Sequence, residues 1–219
     1  MQEFIDINTY QDLRDIVAGW KDGKLNLLIL LGTPGTGKTQ VVRDETGNEP
    51  HWFNGNVTAF GTYVTAYQYI NRPLVFDDTD GLLRDSAGVR LLKCLCQNSR
   101  EKEVSWVSNA TKFYNMGLPS SFKTKSPVCI ICNDFSIKSI HQSAVLDRGT
   151  CVRFIPDRLE LATYALSWVK DLEVYTHVTS LLPKAHRPSL RLYTLAMELK
   201  NAGLNWKAML ENKLHGAIL

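Results

Sequence analysis

Residues 25–39 read Leu25-Asn-Leu-Leu-Ile-Leu-Leu31-Gly32-Thr-Pro-Gly-Thr-Gly-Lys38-Thr39. The first seven are a short apolar run bounded by glycine, which predicts a buried strand. The next eight fit the pattern G-x-x-x-x-G-K-[ST] with no mismatch. Residues 38 to about 45 then open a helix that Gly47 can stop. Strand, glycine loop and helix in this order form a cradle for polyphosphate. The glycines let the backbone wrap an anion, successive N–H groups converge on it, and the helix N-terminus adds its positive end. Gly32, Thr33, Pro34, Gly35, Thr36, Gly37, Lys38 and Thr39 are therefore expected to bind ATP or GTP, with Lys38 reaching the β- and γ-phosphates and the Thr39 hydroxyl on Mg²⁺.

Outward from this stretch, short apolar runs alternate with helical patterns. His51–Phe53, Leu74–Phe76, Val128–Cys132 and Val152–Ile155 read as further strands, with helices between them. The Thr9-x-x-Asp12 step resembles a capping box for a helix carrying Leu13, Ile16, Val17 and Trp20 on one face. Five apolar strands separated by helices predict an α/β fold, a three-layer parallel sheet. From Pro156 onward only helices are evident, near 158–171, 173–182, 189–202 and 205–213. The expected organisation is a nucleotide-binding core over 1–156, with an irregular insert or hairpin at about 100–126, and a small helical lid over 157–219.

The strand at Leu74 ends in Asp77-Asp78, with Asp80 close behind. Ligands of such sheets sit at the carboxyl ends of the strands. Asp77 is expected to hold Mg²⁺ and Asp78 to polarise an attacking water.

The chain has 219 residues, 44% apolar and 21% charged, which excludes disordered and fibrous classes. The run Leu27–Leu31 is too short to span a bilayer, and no basic stretch opens the chain, so a cytoplasmic protein with no membrane partner is expected. Five cysteines, an odd number, suggest a reducing compartment; Cys129 and Cys132 have the CxxC spacing, but residues three apart on a strand face opposite ways, so both are expected to be buried core thiols. The net charge of +3 hides an asymmetry: residues 1–80 carry 6 Lys/Arg and 11 Asp/Glu, and the rest 19 and 11. The basic remainder is compatible with a polyanionic partner.

Taken in order, these residues resemble a P-loop ATPase of the AAA+ group over nearly the whole chain. Gly32–Thr39 and Asp77-Asp78 match its Walker A and Walker B motifs, which are the specific ones; the later matches are positional. Cys129-Ile-Ile-Cys-Asn133 resembles the sensor-1 strand, whose terminal Asn orients the attacking water. Val145-Leu-Asp-Arg148-Gly149 resembles the arginine-finger segment, and Ser189-Leu-Arg191 a sensor 2 on the lid. The resemblance implies that Asp78, Asn133 and Arg148 are catalytic, that Arg191 contacts ATP, and that subunits assemble into a ring, a hexamer, or a filament with ATP at their interfaces. Arg148 would then serve the neighbouring subunit, or Arg153 in its place. Position 78 departs from the usual Glu, and a carboxylate withdrawn by one methylene can slow hydrolysis. The Asp-Asp pair and the stretch Gly117–Phe122 are similar to superfamily-3 helicases of small DNA viruses and plasmids.

That likeness implies a hairpin touching DNA in the ring channel. Lys112, Phe113, Lys123 and Lys125 of the insert are its candidates, cations for phosphates and a ring for stacking on bases. A helicase-like replication ATPase of a mobile element is the reading that results. A helicase loader or transposition target-selection ATPase, working with other replication or transposition proteins, is the neighbouring alternative. From other classes, a small-molecule kinase lacks the expected arginine cluster in its lid. A protein-remodelling ATPase would need Phe60 or Tyr63 to grip peptide.

Overall fold

The computed structural model describes residues 4–107, 113, 115–133 and 140–215. Six strands form one sheet: β1 (Ile5–Ile7), β2 (Leu27–Leu31), β3 (His51–Asn54), β4 (Leu74–Asp77), β7 (Val128–Cys132) and β8 (Thr150–Phe154). Their order is β1-β8-β2-β7-β4-β3, and every pairing is parallel. The fold is thus α/β with a parallel central sheet, but the predicted count of five strands is corrected to six. The additional strand, β1, is three residues long with Ile5 and Asp6 exposed. It owes its extended form to pairing with β8, each residue with a partner 147 positions away, where Ile5 faces Val152.

Alternation along the strands divides the core into two faces. Leu28, Leu30, Val75, Cys129, Ile131, Val152 and Phe154 pack under helices α1 (Tyr10–Lys21) and α2 (Lys38–Thr46) and under the C-terminal helices. Those are α7 (Arg158–Leu166), α8 (Leu172–Leu181), α9 (Arg191–Asn201) and α10 (Trp206–His215). Leu27, Ile29, Phe76, Val128, Ile130 and Cys132 face the other way, onto α3 (Ala59–Gln68), α4 (Asp80–Arg84), α5 (Ser86–Leu95) and α6 (Ile140–Leu146). Cys129 and Cys132 lie on opposite faces, and none of the five cysteines forms a disulfide. The Thr9 side chain caps α1 through the Asp12 N–H. The helices after Pro156 share one apolar cluster with α1 and the sheet. No helix among the described residues is long and apolar enough to cross a membrane.

Between α5 and β7, strands β5 (Lys102–Ser105) and β6 (Ser121–Thr124) make an antiparallel pair. Its inner face is aromatic: Phe122 packs on Tyr63 and Tyr67, and Trp106 on Phe60 and Tyr63. Phe113, expected on the nucleic-acid side, is instead a core residue, 5% exposed against Phe60 and Tyr63. An apolar ring within reach of a preformed cluster gains more by burial than by display to water.

The alternation of β5 turns Lys102 inward beside Val104. Its side chain is fully buried, its ammonium donates to the Ser126 carbonyl, and burial pushes its pKa down from 10.5 to about 8. Between these values the unfolded chain holds a proton that the folded chain does not, so this position favours folding increasingly as pH rises. We expect the melting temperature of the wild type, relative to Lys102→Met, to rise from about pH 7.5 to about pH 9. A pH-independent difference would show that Lys102 titrates at its ordinary value.

Candidate functional site

Parallel registry sets the site. Leu31 of β2 pairs with Cys132 of β7, and Asp77 of β4 pairs with Ile131. The residues that leave these three strands, Gly32, Asp78 and Asn133, therefore emerge together at one edge of the sheet. The middle strand of the three carries Asn133, so its amide falls between the other two.

The Gly32–Thr39 segment crosses this edge and opens α2. Gly35 and Gly37 have φ of +81° and +83°, a region open to glycine at little cost. No side chain caps α2, whose first N–H groups face the loop. Lys38 is 5% exposed; its Nζ donates to the carbonyls of Gly32 (2.6 Å) and Thr33 (3.0 Å) and to Asn133 Oδ1 (3.3 Å). Burial drives the Lys38 pKa down to about 8, while Cys132, Asp77 and Asp78 pull it back up and Arg191 lowers it further.

Asn133 Nδ2 donates in turn to Asp78 Oδ1 at 3.3 Å. The amide is oriented by both neighbours, since only its oxygen can face the ammonium and only its nitrogen the carboxylate. Consecutive strand residues point to opposite faces. Asp78 escapes that rule with φ of +51°, a conformation Asp tolerates, and so lines the same cavity as Asp77. Thr39 Oγ1 donates to Asp77 Oδ1 at 3.2 Å. Burial raises the Asp77 pKa above the usual carboxylate range, opposed by the Thr39 hydrogen bond. Among the described residues no group of three or more His, Cys, Asp or Glu forms a metal cage.

These side chains line a cavity of about 750 Å³ between the sheet edge and the C-terminal helices. Gly35, Gly37, Lys38, Thr39, Asp77, Asp78 and Asn133 come from the core, and Arg191 joins them from the start of α9. Sequence reading did not single out Arg14, Gln40, Asp44, Tyr164 or Trp168, which also line the walls. The only local signal was the Tyr164/Trp168 pair, four residues apart at the end of α7. No protein-family model and no curated protein matches this chain.

The remaining predicted residues lie elsewhere. Arg148 sits in the turn before β8, where its guanidinium donates to the Ala144 carbonyl. The neighbouring Gly149 abuts Leu27, at the opposite end of β2 from Gly32. Arg153 is held in a bidentate pair with Asp6, at 2.8 and 2.7 Å. Lys123 is exposed and pairs with Glu101 at 3.3 Å. Lys125 is exposed, its backbone N–H donating to Asn71. Lys112 lies outside the described residues.

The loop and the C-terminal helical region touch at Gly35. A Cβ there would stand 2.0 Å from Ser189 Oγ, besides being strained by the positive φ. Gly35→Ala is expected to cost about 1–2 kcal/mol, lowering the melting temperature by roughly 2–8 °C. Gly19→Ala, in mid-helix with open space around it, serves as the control and leaves the melting temperature equal or higher. Equal behaviour of the two variants would remove the Gly35 contact from the fold's essential packing.

Proposed function

We propose that the chain is an ATP-hydrolysing AAA+ motor or switch that acts on nucleic acid as an oligomer, a helicase-like ATPase of mobile-element replication. The observation that carries this reading is the linked set Lys38–Asn133–Asp78 beside Thr39–Asp77 at the mouth of a glycine loop. A cation, a neutral amide and a carboxylate in line are what phosphoryl transfer to water requires. Lys38 neutralises charge on the β- and γ-phosphates, Asn133 orients the water, and Asp78 accepts its proton as the bond to the departing ADP breaks.

The all-oxygen donor set of Thr39 and Asp77 suits Mg²⁺, which takes few protein ligands and completes its shell with phosphate and water. When bound, the ion would neutralise phosphate charge; Thr39 and Asp77 would hold it. A nucleoside fits the part of the cavity beyond the loop, where Tyr164 and Trp168 offer rings and Gln40 and Asp44 offer polar groups.

Support for a nucleic-acid partner comes from exposed Lys123 and Lys125 and from the basic balance after residue 80, not from stacking by Trp106, Phe113 or Phe122, which pack on the α3 aromatics. The peptide-gripping alternative draws less support: Tyr63 is fully buried, and Phe60 is half-buried against Trp106 and Phe113. Arg148 stands far from its own cavity, which fits a role at another subunit's site.

The decisive experiment measures nucleotide binding and ATPase rate with and without single- and double-stranded DNA. Wild type is expected to hydrolyse ATP faster with DNA, and Lys38→Ala to bind no nucleotide. Retained binding by Lys38→Ala would refute the loop assignment, and an ATPase rate indifferent to DNA would refute the motor. Arg148→Ala is expected to bind ATP normally and to lose about 10³-fold or more in hydrolysis. Mixing it with a subunit defective only at Asp78 should restore activity. Undiminished hydrolysis by Arg148→Ala alone would exclude it from the site.

A further inference from the structure

We propose that Tyr10 is a positioning residue for polyphosphate binding. With the Ser189–Leu190 step, it holds two successive peptides of the glycine loop in the orientation an anion needs. The inference rests on the nucleotide-binding reading above and adds a residue from outside the loop.

Tyr10 is the first residue of α1 and is 3% exposed. Its hydroxyl donates to the Thr36 carbonyl at 2.7 Å, a contact within the buried interior. The ring stacks on Tyr164 with centroids 3.8 Å apart and planes 10° apart, and meets Phe154 edge-on at 5.1 Å. The Tyr10 backbone N–H donates to Glu160 Oε1 at 2.7 Å. Held from these directions, the hydroxyl has one place to point. One residue earlier in the loop, the Gly35 carbonyl accepts from the Leu190 N–H at 2.9 Å and from Ser189 Oγ at 3.4 Å.

A trans peptide is planar, with its C=O and N–H pointing in opposite directions. Drawing the Gly35 carbonyl toward Leu190 therefore turns the Thr36 N–H the other way. Drawing the Thr36 carbonyl toward Tyr10 does the same for the Gly37 N–H. These are consecutive donors of the segment that carries the two positive-φ glycines. Peptides flanked by glycine rotate easily, and an anion that had to order them would lose affinity to the entropy of doing so. External anchoring of both carbonyls removes that cost in advance.

Tyr10→Phe keeps the ring packing and removes only the hydroxyl. At a temperature well below melting, we expect its dissociation constant for ADP to rise about five- to tenfold, the worth of one buried hydrogen bond. Inorganic tripolyphosphate should weaken by the same factor, because the effect lies in the loop and not at the base. Leu13→Val, on the same helix and buried in the apolar core with no hydrogen bond from its side chain, should lower the melting temperature and leave both constants unchanged.

Dissociation constants within twofold of wild type would overturn the proposal. So would a loss confined to ADP, which would locate the effect at Tyr164, or an equal loss in Leu13→Val, which would make it a general consequence of destabilisation. Wild type binding both probes, with Lys38→Ala binding neither, isolates such a failure to Tyr10. Wild type binding neither probe overturns the nucleotide reading and this proposal together.

Discussion

A lysine ammonium buried among neutral oxygens is the constraint around which the rest of the molecule is arranged. Lys38 has two backbone carbonyls and an amide oxygen within hydrogen-bond reach, and its nearest carboxylates act through space. Burial costs a charge heavily unless hydrogen bonds replace its water. The loop supplies two of these by curling Gly32 and Thr33 over the ammonium. Gly32 can do so because it lies against the β8 backbone, where a Cβ would stand 2.6 Å from the Phe154 carbonyl. The third comes from β7, and it exists only because that strand lies between β2 and β4. Strand order is thus a condition of the charge being buried at all.

The same cation explains why the carboxylates sit as they do. Asp77 is buried with its pKa raised, an unfavourable state partly offset by Thr39 and by the charges of Arg43 and Lys38. Asp78 accepts a positive φ to stay on the cavity side. Each departs from what a strand end prefers, and such departures concentrate where a fold serves chemistry. The C-terminal helices close the arrangement: Leu190 and Ser189 on Gly35, and Tyr164 stacked on Tyr10, tie them to the loop on two sides.

How much of this was legible in the sequence follows from the range of the interactions. The loop, the acidic strand end and Asn133 are local patterns, readable because an apolar strand of four or five residues must end somewhere and its next residue must face solvent or a site. The position of Lys102 was also open to reading, since alternation with Val104 turns it inward. β1 was not, because its three residues have no pattern of their own and become a strand by pairing with β8. Phe113 was misplaced for a related reason. A lysine and a phenylalanine side by side suit a DNA-facing tip, and only the cluster of Phe60, Tyr63 and Trp106 shows where the ring belongs. Tyr10 looked like an ordinary first residue of a helix, and its partners lie 26 and 154 residues away.

Sheet polarity also governs what one chain can do by itself. Every strand of the six-stranded sheet runs the same way, so all its carboxyl ends share one edge and all its amino ends the other. Arg148 belongs to the amino edge, where Gly149 contacts Leu27. Five residues of β2 separate that point from Gly32, about 16 Å at the rise of a parallel strand. An arginine side chain cannot cover this distance, and the strand lies between it and the cavity. Any contribution of Arg148 to nucleotide chemistry must therefore be made to a second molecule. A parallel sheet that collects its own ligand groups at one edge leaves the opposite edge free to complete a neighbour, so under the function proposed above assembly and hydrolysis would be two consequences of one topology.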